Sequence, residues 1–230
     1  MSITINSPEK YLNKQISGLH LIFRSNRVWC YCGARHNAEM DLCGTDYRCA
    51  SRLKIVCFPE LSVTGYTCGD LFLQDALPIA AKTEIVRIIK ETAQLDIVSI
   101  VGISLTVCGK LYNCAVVINK GKAIGTVAKK NIPNYNEFYE ARHFTPAEDN
   151  LCVNIKLDNE YSVHLEDTLF TCTELPDLIF GIEICEDMWV SSQPSEQLAQ
   201  RGTVIIFNIS ISDEVTVIRL HRLMVRTQGF

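Results

Sequence analysis

Three reactive side chains each follow an apolar, strand-like stretch of the sequence. They are Glu60, Lys129 and Cys185. A thiol attacks an amide or nitrile carbon well only as the thiolate, and a nearby carboxylate can take up its proton. A lysine ammonium can stabilise the negative charge that develops on the carbonyl oxygen. Because ligands gather at the carboxyl ends of strands in α/β sheets, we expect these three groups to converge on one pocket.

Each of the three residues also has a non-catalytic interpretation. A cysteine at the end of an apolar run, such as Cys185, is more often a buried core thiol than a nucleophile. Glu60 could instead cap a helix, and Lys129 could be an exposed loop lysine. Residue type and position alone therefore leave both interpretations open.

The spacing of apolar residues predicts the elements that would position these groups. Buried strands are predicted at 53–58, 97–103, 161–166, 177–185 and 203–210, and a hairpin at 112–128 with its turn at 119–122. Helices are predicted from about residue 75 to 94 and over 195–201. The polar and aromatic segment 129–144 is predicted to be a long ordered loop. Apolar strands that alternate with helices indicate a layered α/β fold.

Composition limits the classes of function. The chain has 230 residues, 47% of them hydrophobic, which is enough for one sizeable core but not for a second full domain. Its formal net charge of -4 argues against nucleic acid or an anionic membrane surface as a partner. No stretch approaches the roughly 18 apolar residues of a spanning helix, and the N-terminus lacks the apolar centre of a signal peptide. We therefore predict a cytoplasmic protein.

The chain is rich in cysteine. Eleven cysteines form an odd set scattered through hydrophobic segments, which favours reduced core thiols over disulfides in the cytoplasm. Within residues 1–52, the segment 30–49 has neither strand nor helix period and holds four cysteines and one histidine. Their spacing fits no common structural zinc site, so irregular structure is preferred over a zinc knuckle.

Three short motifs resemble the signatures of the nitrilase, or carbon–nitrogen hydrolase, superfamily. They are FPELSVTGY at 58–66, KKNIPNY at 129–135 and ICEDMW at 184–189. The stretches GYTCGDLF at 65–72, NYNEFYEARHF at 134–144 and NISISDE at 208–214 narrow the resemblance to the glutaminase domain of glutamine-dependent NAD⁺ synthetase. The resemblance covers about residues 53–216. It implies an α-β-β-α sandwich with mixed sheets, incomplete in this chain.

The resemblance also implies a role for each reactive residue. Cys185 would be the nucleophile that forms a glutamyl thioester, and Glu60 the general base that later activates the hydrolytic water. In the family motif the catalytic lysine stands four residues before the proline, and with Pro133 this selects Lys129. Lys130 is then expected to be an exposed neighbour.

Further residues match positions that support catalysis in the family. Tyr135 and Ser212 resemble positions that contact the glutamine substrate. Either Glu137 or Glu140 would hold the catalytic lysine through a charge-assisted hydrogen bond. Asp187 is expected to shape the turn after the nucleophile rather than to take part in the chemistry.

The implied partners are L-glutamine and a synthetase domain of the same longer protein. In the family, glutamine hydrolysis supplies ammonia for the ATP-dependent amidation of nicotinic acid adenine dinucleotide. Residues 53–230 would be the hydrolase domain, truncated at its C-terminus, after an atypical segment 1–52. The sequence has no Ser-Gly-Gly-x-Asp or Walker-type loop, so ATP and Mg²⁺ are expected only in the synthetase domain. No metal or cofactor is expected in this chain. The protein is expected to form a homo-oligomer.

Two other functions remain open. A stand-alone carbon–nitrogen hydrolase would act on a small amide, although GYTCGDLF and EFYEARHF count against it. A non-catalytic remnant is favoured by departures from the family pattern. Residues 1–52 lack the family's first strand and helix, and Val217-Ile218 replace its Gly-Lys or Gly-Arg pair. Arg219 follows directly and could replace the basic residue that helps to bind substrate.

Overall fold

The computed structural model of the protein describes residues 3–6 and 54–211. The strands in these residues are β1 (Ile3–Asn6), β2 (Ile55–Cys57), β3 (Val98–Val107), β4 (Lys110–Asn119), β5 (Lys122–Ala128), β6 (Val153–Lys156), β7 (Ser162–Leu165), β8 (Leu169–Cys172), β9 (Ile179–Ile184) and β10 (Ile205–Ile209). The α-helices are α1 (Ala76–Glu91) and α2 (Pro194–Gln200), and 3₁₀ turns span Tyr66–Leu73, Glu140–Arg142 and Cys185–Met188. In this part of the chain, neither α-helix has the length and apolar character needed to cross a bilayer. The predictions for the segment 30–49, for Ser212 and for Arg219 lie outside the described residues.

The strands form two mixed sheets. The larger sheet has the order β2-β3-β4-β5-β7-β6, with parallel pairs β2–β3 and β5–β7 and antiparallel pairs elsewhere. The smaller sheet has the order β1-β8-β9-β10, with β9 and β10 parallel. Strand β1 lies within the segment 1–52 and pairs with β8 at the edge of the smaller sheet.

The two sheets pack face to face and each carries one helix on its outer face. Phe170 and Phe180 of the smaller sheet stack with ring centroids 5.1 Å apart, within the apolar core that both sheets share. On the other face of the larger sheet, α1 buries Ile85 in a second apolar cluster. On the other face of the smaller sheet, Leu198 of α2 packs against Ile179. The layers are therefore α-β-β-α, and the predicted fold class is confirmed.

Most predicted elements correspond to observed ones. The predicted helix from 75 to 94 is α1, and the predicted hairpin is β4–β5. Lys120 and Gly121 form its turn with φ values of 47° and 74°, as a two-residue hairpin turn requires. Three four-residue strands, β1, β6 and β8, were not predicted. Length alone does not explain these misses, because β2 and β7 have three and four residues and were predicted.

Candidate active site

Glu60 lies in a turn that follows β2 and is held against β3. The N–H of Phe58 donates to the carbonyl oxygen of Ile100 at 2.9 Å, and the N–H of Val63 donates to that of Gly102 at 3.0 Å. The turn therefore continues the pairing of β2 with β3. This arrangement places the carboxyl group of Glu60 inside the protein, where the residue is 0% exposed.

Lys129 and Cys185 also occupy the strand ends that the sequence predicted. Lys129 follows β5 directly, and its N–H donates to the carbonyl oxygen of Asn113 in β4 at 2.8 Å. Cys185 follows β9 directly and has φ of 49°, a left-handed conformation that is uncommon for a residue other than glycine. Lys129 is 0% exposed and Cys185 is 4% exposed. Backbone strain of this kind is concentrated at functional sites.

The ammonium group of Lys129 lies between two buried carboxylates. Its Nζ is 2.7 Å from Oε1 of Glu60 and 2.8 Å from each carboxylate oxygen of Glu140. Glu140 is buried whereas Glu137 is exposed, so the structure selects Glu140 as the partner of the lysine. The three charged groups form one compact ion cluster, named here the Lys129 cluster.

Lys130 faces a different set of acids. Its Nζ lies 2.9 Å from Asp149 and 2.7 Å from Asp167, outside the Lys129 cluster. The side chain is only 15% exposed, so the expectation of an exposed neighbour was wrong. The selection of Lys129 over Lys130 from the distance to the proline agrees with this geometry.

Two neutral donors complete the Lys129 cluster. The side-chain amide of Asn113 donates to Oε1 of Glu60 at 2.7 Å and to Oε2 of Glu140 at 3.4 Å. The hydroxyl of Tyr66 donates to Oε1 of Glu140 at 2.9 Å. The sequence analysis did not identify either residue as part of the site. The one signal that the sequence offered for Asn113 is that this residue is polar but lies within the apolar strand β4.

The backbone of Ile211 links the thiol to the carboxyl group of Glu60. Sγ of Cys185 lies 3.9 Å from the carbonyl oxygen of Ile211. The N–H of the same residue donates to Oε2 of Glu60 at 3.2 Å. The structure therefore brings Glu60, Lys129 and Cys185 into one site, at the strand ends of both sheets.

Burial and nearby charges set the protonation states of these groups. Burial raises the pKa of the Cys185 thiol, the charge of Glu60 raises it further, and the charge of Lys129 opposes them. Burial also raises the pKa of Glu60, although the charge of Lys129 opposes this shift. For Lys129, burial favours the neutral amine, but the neighbouring carboxylates outweigh it and raise the pKa. The resting site therefore holds a neutral thiol beside a lysine ammonium.

Tyr135 lies at the exposed rim of the site. It is 50% exposed, and its hydroxyl donates to Oε2 of Glu186 at 2.8 Å. Burial raises the pKa of Tyr135 to about 12, with the hydrogen bond to Glu186 and the charge of Glu186 acting in the same direction. The residue predicted to contact substrate thus hydrogen-bonds the acid that directly follows Cys185 in the chain. Ser212, the other predicted contact, lies outside the described residues.

Comparison with known proteins identifies the family. The model of the carbon-nitrogen hydrolase family matches residues 47–229. The chain belongs to the carbon–nitrogen hydrolase family. Among the described residues of this carbon–nitrogen hydrolase, no group of three His, Cys, Asp or Glu side chains is arranged to hold a metal ion.

Similar proteins include much longer ones. Glutamine-dependent NAD(+) synthetase of Mycobacterium tuberculosis is 37% identical over 153 residues, which cover 66% of this chain and 22% of that protein. The synthetase of the same name from Aquifex aeolicus is 30% identical over 158 residues, 69% of this chain and 24% of that protein. The match therefore spans less than a quarter of the length of either relative.

Solved structures of similar proteins share the fold. A glutamine-dependent NAD(+) synthetase from Cytophaga hutchinsonii matches with a TM-score of 0.68 and 28% identity, over 81% of this chain and 30% of that chain. A Nesterenkonia amidase from the nitrilase superfamily matches with a TM-score of 0.63 and 13% identity, over 85% of this chain and 66% of that chain. At 13% identity, the match to the amidase shows a shared fold and nothing more.

In this carbon–nitrogen hydrolase, Gly102 lets β3 approach the turn that carries Glu60. A Cβ atom on Gly102 would lie 2.3 Å from the carbonyl oxygen of Pro59 and 2.5 Å from the backbone nitrogen of Leu61. We predict that Gly102→Ala lowers the free energy of unfolding by about 2 kcal/mol or more, because backbone atoms must move to make room. Urea denaturation measures this loss.

Gly181→Ala, in β9, is the matched control for this substitution. The atoms nearest to its Cβ atom would be side-chain atoms of Leu198, at 2.9 to 3.2 Å, which give way more easily than backbone atoms. The loss of stability should therefore be clearly smaller than for Gly102→Ala. Equal losses in the two variants would contradict the proposed close approach at Glu60.

Proposed function

We propose that this chain is a glutamine amidohydrolase domain that supplies ammonia for glutamine-dependent NAD⁺ synthesis. The observation that carries the proposal is the Lys129 cluster beside a strained cysteine at a strand end. A buried base, a buried ammonium and a thiol at one site are the groups that amide hydrolysis through a thioester needs. The M. tuberculosis and A. aeolicus relatives are glutamine-dependent NAD(+) synthetases, which supports glutamine as the amide.

In the first half of the reaction, Cys185 would attack the side-chain amide carbon of glutamine. As the S–C bond forms, the thiol proton passes to Glu60, and the ammonium of Lys129 stabilises the negative charge on the amide oxygen. When the tetrahedral intermediate collapses, the C–N bond breaks. The proton held by Glu60 passes to the leaving nitrogen, which departs as ammonia and leaves a glutamyl thioester.

In the second half, water would hydrolyse the thioester. Glu60 removes a proton from the water as it attacks the thioester carbon, and Lys129 again stabilises the oxyanion. The C–S bond then breaks, glutamate leaves, and the proton returns to the sulfur. Both halves use the same base and the same ammonium, so no further protein group is required.

The protonation states of the site suit this mechanism. A thiol with a raised pKa stays protonated until it attacks, so a base must accept its proton in the same step. Oε1 of Glu60 already accepts hydrogen bonds from Lys129 and Asn113. Oε2 lies on the side of Ile211, whose carbonyl oxygen faces the sulfur, and is therefore the oxygen that we assign as the proton acceptor.

The acidic rim favours an amino acid amide over a simple amide. Glu186 follows the nucleophile directly, and one of its oxygens accepts the hydroxyl of Tyr135. A carboxylate at this position can pair with the α-ammonium group of glutamine through a charge-assisted hydrogen bond. A small neutral amide would leave that carboxylate without a partner from the substrate.

The ammonia would be used by a synthetase activity. Both curated relatives are glutamine-dependent NAD(+) synthetases, and this chain matches less than a quarter of each. We propose that a synthetase domain of the same longer protein consumes the ammonia, and that ATP and Mg²⁺ act there rather than in this chain. Assembly as a homo-oligomer and location in the cytoplasm are proposed with it.

Three predictions test this function, and the first concerns the nucleophile. The purified chain should release ammonia from glutamine, and Cys185→Ala should abolish the release because the thioester cannot form. A coupled glutamate dehydrogenase assay measures the ammonia. Cys152→Ala is the control, since Cys152 is exposed and lies outside the site, and it should retain activity.

Three other outcomes would contradict parts of the proposal. Release that survives Cys185→Ala would exclude the thioester mechanism. Release from propionamide but not from glutamine would indicate a stand-alone amidase. No release by a chain that circular dichroism shows to be folded would indicate a non-catalytic protein.

The second prediction concerns pH. Glu60 must be ionised to act as the base, and its pKa is raised above the ordinary glutamate value of about 4.3. The value of kcat/KM should therefore fall as the pH falls through this raised pKa, with an acid limb above the ordinary value. Because Glu60 contacts the Lys129 ammonium, the apparent pKa of this limb reports Glu60 in that contact rather than an isolated carboxyl group.

A pH–rate profile with glutamine tests this expectation. Circular dichroism at each pH ensures that the fall in rate is not unfolding, and Glu60→Gln should be inactive throughout. An acid limb at or below the ordinary glutamate pKa would argue against Glu60 as the base.

The third prediction concerns the rim. Glu186→Gln should raise KM for glutamine about tenfold or more, because a charge-assisted hydrogen bond to the substrate ammonium is lost. The matched control variant is Glu91→Gln, on the exposed side of α1. Rates with 4-carbamoylbutanoate, which lacks the ammonium group, should not distinguish Glu186→Gln from the unaltered chain. An unchanged KM for glutamine would remove Glu186 from substrate binding.

A further inference from the structure

Asp187 is a buried acid that accepts four hydrogen bonds and is not needed as an acid or base in the proposed mechanism. The residue is 2% exposed. Its Oδ1 accepts the N–H of Lys130 at 3.2 Å, the N–H of Asn131 at 2.8 Å and the side-chain amide of Asn131 at 2.9 Å. Its Oδ2 accepts the N–H of Ile184 at 3.0 Å. All four partners are N–H donors.

These four bonds join the two segments that carry the reactive groups. Lys130 and Asn131 directly follow Lys129 at the end of β5, in the larger sheet. Ile184 directly precedes Cys185 at the end of β9, in the smaller sheet. Oδ1 of Asp187 therefore binds residues 130–131, named here the lysine segment. Oδ2 binds the backbone of Ile184, at the start of the turn that carries Cys185.

We infer that Asp187 is a positioning residue that fixes the segment of Lys129 relative to the turn of Cys185. This inference rests on the proposed function for its effect on catalysis, although the contacts themselves do not. Without the carboxylate, the direct backbone link between the residues next to Lys129 and the turn that carries Cys185 would be lost. Misplacement of catalytic groups by about 1 Å is enough to lower rates strongly.

Only a carboxylate suits this position. It accepts on both sides, whereas an asparagine of the same shape has one accepting oxygen and one donating NH₂ group. If the oxygen of Asn faced Lys130 and Asn131, its NH₂ group would face the N–H of Ile184. In the reverse orientation, the NH₂ group would face three donors. Either orientation leaves buried N–H groups unpaired, which is costly.

A purely structural role predicts a different result. If Asp187 only stabilised the turn after Cys185, its loss would lower stability without changing the lysine segment. The inference instead requires that Lys129 and Cys185 lose their fixed separation, so that the reactivity of the thiol changes. The ammonium of Lys129 favours the thiolate, so its displacement should slow alkylation of Cys185.

The test compares Asp187→Asn with Asp177→Asn in the purified chain. Asp177 is exposed and lies before β9, at the opposite end of the strand from Cys185. Hydrogen exchange by mass spectrometry follows the amides of Lys130, Asn131 and Ile184. The alkylation rate of Cys185 by iodoacetamide is followed on its own peptide, and ammonia release from glutamine gives kcat and KM.

For Asp187→Asn we expect amide protection to fall at least about tenfold on one side of the link, in the lysine segment or at Ile184, since one side must lose its acceptor. The changes in alkylation and in kcat, which a purely structural role would not produce, then decide whether the link positions Lys129 relative to Cys185. Alkylation of Cys185 should slow, and kcat should fall about tenfold or more while KM stays within about threefold. Asp177→Asn should match the unaltered chain in each measurement. Asn131→Ala keeps the carboxylate and removes one bond, so it should show a smaller change in the same direction and serves if Asp187→Asn does not fold.

Two results would overturn the inference. One is unchanged amide protection in both segments of Asp187→Asn, or of Asn131→Ala where that variant is used. The other is lost protection with unaltered kcat and unaltered alkylation of Cys185. If the unaltered chain releases no ammonia, the proposed function fails, whereas exchange and alkylation still decide whether Asp187 positions the two segments.

Discussion

The burial of the Lys129 ammonium between two carboxylates is the interaction on which the rest of the site depends. A buried charge without a partner is strongly unfavourable, and removal of one partner from a buried pair typically costs about 3–5 kcal/mol. Lys129, Glu60 and Glu140 come from three separate segments of the chain, and the lysine meets both acids only when these segments pack together. Formation of the site is therefore coupled to the correct packing of those segments.

The sandwich supplies the geometry that this ion cluster requires. Glu60 and Lys129 come from the larger sheet, whereas Cys185 comes from the smaller one. The apolar core between the sheets fixes their separation, and rings such as Phe170 and Phe180 leave little room for one sheet to slide over the other. The site is thus positioned by side chains that take no part in its chemistry.

The sequence predicted the reactive residues better than the contacts that hold them. Glu60 and Cys185 could be found because each follows an apolar run and lies in a family motif. Asn113 was missed because a single polar residue in a buried strand gives no sign of which strand end it faces. The contact of Asp187 with Lys130 joins residues 57 positions apart in the chain. Such a pairing depends on how two sheets pack, which local spacing does not encode.

Four acids near the thiol differ in environment rather than in chemistry. Glu60 and Glu140 share the lysine ammonium, Asp187 faces only N–H donors, and Glu186 lies at the rim beside Tyr135. Burial raises the pKa of both Glu60 and Asp187, but it is Glu60 that the backbone of Ile211 links to the sulfur. Because a proton acceptor must first lie within reach, this link supports the proposal that Glu60 is the base, and its raised pKa would suit it to receive the proton of a thiol.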